Sequence, residues 1–309
     1  MSGARKVAFI GSSSFSGSTA MDLIVGTSEG AISLGEIGKV FYPRREIHFQ
    51  RECGCMNPSC KFWDGILGRS EKGVHLRVFD NHDATLLSDS TKDPFWIKSR
   101  SEELEKNGIE VINILLWRHP DKVRASFEKR GRVWAWEKAW VTYYRLYFSL
   151  IDRFVVIPFE SIHSEDGELE RRLEIAGISG VSKEFWMGET HSLFGNSTAK
   201  KSFFPIDSTQ YSTLLERQKK SANSEGEHRE IFLGDSGDNP LETMPAAVKE
   251  IFEFLEGNDI ILTKGTPVEA PGNMKMGKIR RLASLLFYKF PSLAMSRRSL
   301  QEFTHRPRA

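Results

Sequence analysis

No run of roughly 18 apolar residues occurs anywhere in the chain, so no membrane-spanning helix is expected. No separate apolar segment with a small-residue cleavage site precedes the first predicted strand, so no signal peptide is expected and the expected location is cytoplasmic. Cysteine is scarce, with 3 in 309 residues. That odd number fits a reducing compartment better than a disulfide framework. Charge excess is almost absent, 43 Lys and Arg against 41 Asp and Glu for a net charge of +2, which argues against nucleic acid as a partner. What remains is an ordinary globular composition, 39% apolar and 27% charged, long enough to bury a sizeable core.

One further absence is local. The opening segment KVAFIGSSSFSGSTAMDLIVG, Lys6 to Gly26, reads as a buried strand over 6–10, a Gly/Ser loop over 11–17 and an amphipathic helix from Ser18. A strand, a small-residue loop and a helix N-terminus make an anion cradle. The first helical amides lack internal partners, the helix dipole favours negative charge, and small residues let the backbone close on a phosphate or sulfate. A Walker motif would need G-x-x-x-x-G-K-[ST]. Here five residues separate Gly11 from Gly17, and Ser18 stands where the lysine belongs. Without that lysine, transfer of a nucleotide's γ-phosphate is disfavoured.

Along the chain, strands and helices alternate, which predicts an α/β fold with a mostly parallel sheet. Short strands or loops are read at 31–35 and 85–89, and the apolar run ending INILLW, 111–117, reads as a central parallel strand. Helices are read at 94–107, with Gly108 closing it, and from Pro120, which suits the first helical position. The segment 134–151 reads as a helix whose Trp136, Trp140, Tyr143, Tyr147 and Ile151 share one face, most of it assigned to core packing. A strand at 154–158, a helix at 165–176 closed by Gly177 and a last helix at 245–255 follow; 182–240 is hard to read. The expected division is a globular domain over 1–265 and a tail over 266–309. The tail opens as a linker with Pro267, Pro271 and Gly272 and continues as KMGKIRRLASLLFYKF. Its Lys275, Lys278, Arg280, Arg281 and Lys289 flank Leu282, Leu285, Leu286, Phe287 and Phe290. That pattern fits a basic amphipathic helix peripheral to an anionic membrane or docked on a partner, and equally a terminal helix packed on its own domain.

The second chemical signal is LLWRHPDKVRASFEKRGR, 115–132. Arg118 lies just past an apolar strand and Ser126 eight residues later in the next helix. Ligands of open α/β sheets bind beyond the carboxyl ends of the strands, so Arg118 can reach the edge that carries the Gly11 loop. A guanidinium fork suits phosphate, and a hydroxyl adds a donor.

Here a resemblance enters. SSSFSGSTAMDLI resembles the 5′-phosphosulfate loop of sulfotransferases that use 3′-phosphoadenosine 5′-phosphosulfate, PAPS. The strand followed by Arg118 and Ser126 resembles their 3′-phosphate motif. DSTKDPF (89–95), GEIG (35–38), VVIPFESI (155–162) and HSLFGNSTAK (191–200) are similar to further elements of the bacterial and tyrosylprotein sulfotransferases, in the same order over about 6–200. The resemblance implies a P-loop-like three-layer sandwich with a mostly parallel central sheet flanked by helices. It also implies roles: Ser14, Phe15, Ser16, Gly17, Ser18 and Thr19 at the 5′-phosphosulfate, and Arg118 and Ser126 at the 3′-phosphate. Lys92 would lie at the leaving phosphate and Glu36 would serve as base toward an acceptor hydroxyl or amine. His119 and His191 rank behind Glu36 as bases. The product would be 3′-phosphoadenosine 5′-phosphate, no metal is required by the scheme, and the acceptor is a small molecule, glycan, lipid or protein. One departure stands out: Phe15 occupies a place where many members carry Arg or Lys, so either Lys92 takes over that charge or activity is low.

Cys53, Cys55 and Cys60 have C-x-C-x4-C spacing before Phe62-Trp63. With His48 they offer four zinc ligands, but the spacing is not that of a standard finger. A loop of reduced thiols or one local disulfide is the expected state, with no metal. The rival functional readings are a P-loop phosphotransferase and a catalytically weak nucleotide-binding module that docks on a membrane or partner.

Overall fold

The computed structural model describes residues 4–44, 46–49, 53–68, 70–164, 167–182, 190–196, 244–261 and 270–277, together with 281, 282, 284 and 285. Five strands form one sheet in the order β2-β3-β1-β4-β5: β1 (Lys6–Gly11), β2 (Ala31–Ser33), β3 (Leu86–Asp89), β4 (Glu110–Trp117) and β5 (Val155–Pro158). Every pairing is parallel, with Gly11 opposite Leu115 and Trp117 opposite Pro158. The described helices are α1 (Ser18–Val25), α2 (Gly38–Phe41), α3 (Val74–Asn81), α4 (Pro94–Lys106), α5 (Pro120–Glu128), α6 (Trp136–Leu150), α7 (Glu168–Ile175) and α8 (Ala246–Ile261). The expected α/β sandwich is therefore present.

Alternation along the strands sends side chains to two cores. Val7 and Phe9 of β1 join Leu115, Trp117 and Val156 in a large cluster with α3, α4, α6 and α8. Ala8 and Ile10 join Ile112, Ile114, Leu116 and Ile157 in a smaller one with α1 and α7. Both faces of the sheet are covered, which is why its strands read as continuous apolar runs.

Boundaries follow local chemistry. Asp93 caps α4 by accepting from the Phe95 amide, with Pro94 at the first turn. His119 caps α5 by accepting from the Asp121 amide at 3.3 Å. Helix α6 starts later than the sequence suggests, because Val133–Ala135 forms a separate single turn. Its buried set is Trp140, Tyr144, Leu146, Tyr147 and Phe148, so the core-facing stripe is wider than the predicted one. Pro267 lies outside the described residues; from 270 onward, Ala270 and Met274 are buried in the large core, and the Met276 amide donates to the Arg145 carbonyl at 3.2 Å. Leu285 packs partly buried against the same cluster, whereas Lys278, Arg280, Phe287, Lys289 and Phe290 lie outside the described residues. No described helix is long and apolar enough to cross a membrane.

Candidate nucleotide and transfer site

In the strand order β1 and β4 are neighbours, and the chain leaves β1 toward β2 on one side and β4 toward β5 on the other. The crevice at such a reversal is where open α/β sheets bind ligands. All five strands deliver candidate residues to that edge: the Gly11–Gly17 loop after β1, Glu36 after β2, Lys92 after β3, Arg118 after β4 and Phe159 after β5.

The loop after β1 is shaped by what glycine permits. Gly17 sits at φ 83° as the N-cap of α1 and supplies no side-chain cap. A Cβ on it would lie 2.1 Å from the Phe159 ring. A Cβ on Gly11 would lie 2.3 Å from the Tyr147 ring and 3.0 Å from the Tyr143 hydroxyl, so the α6 aromatics form the floor beneath the loop. Inside the loop, the Ser13 and Ser16 hydroxyls share a hydrogen bond of 2.8 Å, and Ser12 Oγ is buried with no hydrogen-bond partner among the described residues. The Thr19 hydroxyl accepts from the Asn196 amide at 3.0 Å. Ser14 is exposed on the outside of the turn.

Arg118 meets this loop directly. Its Nη1 donates to the Phe15 carbonyl at 3.1 Å, and its guanidinium lies 4.7 Å over the Phe159 ring. Its Nε is buried without a hydrogen-bond partner among the described residues. Burial lowers the Arg118 pKa and the Glu160 carboxylate works against that; an arginine so placed stays cationic. Ser126 lies on the neighbouring α5, where its hydroxyl donates to the Lys122 carbonyl at 3.0 Å.

Phe15, itself at φ 67°, turns its ring toward Phe127, 5.0 Å away and edge-on. The Arg130 guanidinium lies 4.1 Å from the centre of the Phe15 ring and donates to the Ser126 carbonyl at 2.8 Å. Burial and then the charge of Arg132 lower its pKa. A positive charge thus reaches the loop beside Phe15, supplied from the end of α5. Sequence reasoning missed Arg130. The available signal was its place four residues after Ser126, one helical turn away on the same face.

Glu36 and Lys92 also come together. Lys92 Nζ contacts Glu36 Oε1 at 2.5 Å, and Lys39 pairs with the other carboxylate oxygen. Glu36 is 2% exposed, and its amide donates to the Leu193 carbonyl at 2.8 Å. Lys92 stands at φ 67°, an uncommon conformation for a side-chain-bearing residue, which the surrounding contacts enforce. Tyr143 donates to its carbonyl at 3.0 Å. Upstream, the fully buried Asp89 accepts from the Thr91 amide at 2.8 Å, the Trp96 indole at 2.8 Å and His75 at 2.9 Å. Asp89 thereby holds the turn, and Tyr143 belongs to the site rather than only to the core.

Two histidines stand elsewhere. His119 stacks edge-on against Phe252. His191 lies with the cysteines: its Nδ1 is 3.3 Å from Cys53 Sγ and 3.4 Å from Cys60 Sγ. His48, the residue paired with the cysteines on spacing alone, instead accepts from the Arg44 amide at 2.8 Å and meets the Phe194 ring edge-on. The reason is topological: residues 191–193 return alongside both Gly35 and Cys53 through bridges at Leu193.

No family model matches this chain, and no curated protein does. Among solved structures, the sulfotransferase domain from the curacin biosynthetic pathway is similar at TM-score 0.36 and 14% identity, over 71% of this chain and 99% of that one. The sulfotransferase domain from the Synechococcus PCC 7002 olefin synthase is similar at TM-score 0.37 and 14% identity, over 71% of this chain and 96% of that one. Neither is named as a tyrosylprotein sulfotransferase, and similarity at these scores assigns no activity.

Proposed function

We propose that the protein is a sulfotransferase that moves a sulfonate from PAPS to a hydroxyl or amine. The observation that carries this reading is the docking of Arg118 on the Phe15 carbonyl. It joins the β4 arginine to the uncapped N-terminus of α1 at the reversal of the sheet, with the buried Arg118 Nε left without a described partner. One cradle thus offers donors to an anion from helix amides and from a guanidinium, which suits a nucleotide bearing phosphates at both its 5′ and 3′ positions.

PAPS supplies an activated sulfonate whose S–O bond to the 5′-phosphate breaks as the acceptor oxygen or nitrogen bonds to sulfur. Ser16, Gly17, Ser18 and Thr19 would bind the phosphosulfate, and Arg118 with Ser126 the 3′-phosphate. Arg130 adds positive charge where Phe15 has none. Glu36 would take the acceptor proton, a contribution of about 10²- to 10⁴-fold. Lys92 pairs with Glu36. Its long stem lets the ammonium turn to the leaving phosphate oxygen, where charge grows. Lys39 would then keep the carboxylate paired.

Calorimetry with 3′-phosphoadenosine 5′-phosphate, adenosine 5′-phosphosulfate and ATP tests the cradle. Tight binding is expected only for the first, since the others lack a 3′-phosphate; equal binding of all three removes the assignment of Arg118 and Ser126. Transfer from labelled PAPS to phenol, carbohydrate, lipid and protein acceptors then identifies the acceptor.

A further inference from the structure

Cys53, Cys55, Cys60 and His191 take no part in the transfer site, yet their four ligand atoms lie within 4.8 Å of one another. Cys53 Sγ is 3.4 Å from Cys55 Sγ, 3.6 Å from Cys60 Sγ and 3.3 Å from His191 Nδ1, and Cys60 Sγ is 3.4 Å from that same nitrogen. A tetrahedral zinc ion, about 2.3 Å from sulfur and about 2.0 Å from nitrogen, spaces its ligands roughly 3.5–3.8 Å apart. The side chains therefore already stand near the corners of such a tetrahedron. All three cysteines are free thiols.

The surroundings are built for the histidine. Its ring stacks on Phe62 at 4.1 Å and 6°, and the other face of Phe62 stacks on His82 at 4.0 Å and 9°. The Trp63 indole donates to the His191 carbonyl at 3.0 Å. One short segment thus supplies a thiol at Cys60, a platform at Phe62 and a backbone anchor at Trp63. Gly54, between two of the thiols, lies so close to residue 192 that a Cβ would be 2.7 Å from the Ser192 carbonyl oxygen. Such fixed orientation of a ligand by groups behind it is characteristic of metal sites. A cavity of about 560 Å³ lined by Cys53, Cys60 and Trp63 among others adjoins the cluster and offers an entry path.

We propose that Cys53, Cys55, Cys60 and His191 bind one zinc(II) ion in a closed, structural Cys₃His site. Three soft thiolates and one imidazole in a tetrahedron select zinc, and four protein ligands leave no open position for chemistry. Binding displaces the thiol protons to solvent and uses neutral His191 through Nδ1, with its proton on Nε2. The ion ties a loop with no strands or helices of its own to the 191–196 segment. That segment accepts from the Glu36 amide through Leu193 and donates to Thr19 from Asn196. The site acts on architecture, so it stands or falls independently of sulfonate transfer.

The test uses the untagged full-length protein, purified without chelator from zinc-supplemented cells. Metal analysis is expected to find about one zinc per chain, and cobalt(II) exchanged for it should show a thiolate-to-cobalt charge-transfer band with intense tetrahedral d–d bands. His48→Ala should keep the metal, and Cys60→Ser should lose it. Because loss in Cys60→Ser could reflect misfolding, His191→Cys provides a second reading: it should retain zinc and shift the cobalt bands as nitrogen is replaced by sulfur. A metal-free wild-type protein that gains no tetrahedral spectrum with cobalt overturns the proposal. So does a disulfide among the three cysteines in the freshly purified protein, or unchanged cobalt bands in His191→Cys.

Discussion

In the Gly11–Thr19 cradle the backbone does the shaping, whereas around Cys53–Cys60 most of the contacts are made by side chains. The cradle lies between a central strand and a helix, and its critical positions are those where a Cβ has no room. The cysteine loop has no strand or helix; it is held by thiol, imidazole and ring contacts with residue 191, which is 138 residues from Cys53, together with one backbone bridge from Cys53 to Leu193. A cradle of the first kind tolerates changes to exposed side chains and fails when a glycine acquires a methyl. A loop of the second kind should fail when one cross-linking side chain goes. Between the two runs the 191–196 segment, touching the thiols at one end and Thr19 at the other.

The largest expected effect is on chemistry. Glu36→Gln keeps the size of the side chain but cannot accept a proton, so turnover should fall by about 10²-fold or more while the affinity for 3′-phosphoadenosine 5′-phosphate stays within about twofold. Single-turnover measurements with a confirmed acceptor check this; wild-type turnover would place the base elsewhere. Metal content should not change.

Next comes the anchor of the cradle. Arg118→Ala removes a charge-assisted contact to the nucleotide, and binding measured by calorimetry should weaken by about 1.5–3 kcal/mol. Zinc content should again be unaffected. If Arg118→Ala also releases metal, the two regions are coupled more tightly than their separate contacts suggest.

Smaller still is a backbone effect. Gly17→Ala forces a Cβ into the Phe159 ring at a left-handed residue, and thermal unfolding should show a loss of about 1–3 kcal/mol. Adding Phe159→Ala should recover the steric part but not the conformational part. Full additivity of the two losses would mean that the ring and residue 17 do not press on each other.

The smallest change is expected at Ser126. Its hydroxyl is already bonded to the Lys122 carbonyl, so Ser126→Ala should weaken nucleotide binding by about 1 kcal/mol or less. A loss as large as that of Arg118→Ala would show that the hydroxyl turns to the ligand and carries an equal share.

By itself the sequence determined the layered framework. Strands β1, β4 and β5 were legible because burial on both faces makes their residues uniformly apolar, and α4 and α5 because proline marks their first turns. The loop before α1 was legible because glycine and serine there answer a local backbone demand. Local demands leave local signals. Tertiary structure decided everything that joins distant segments: Arg118 on the Phe15 carbonyl, Arg130 over the Phe15 ring, Glu36 between Lys39 and Lys92, and His191 rather than His48 among the thiols. Spacing favoured His48 because it is near in the chain. Two bridges at Leu193 instead bring 191–193 between Gly35 and Cys53, and which histidine meets a cysteine is set by that crossing, not by the number of residues between them.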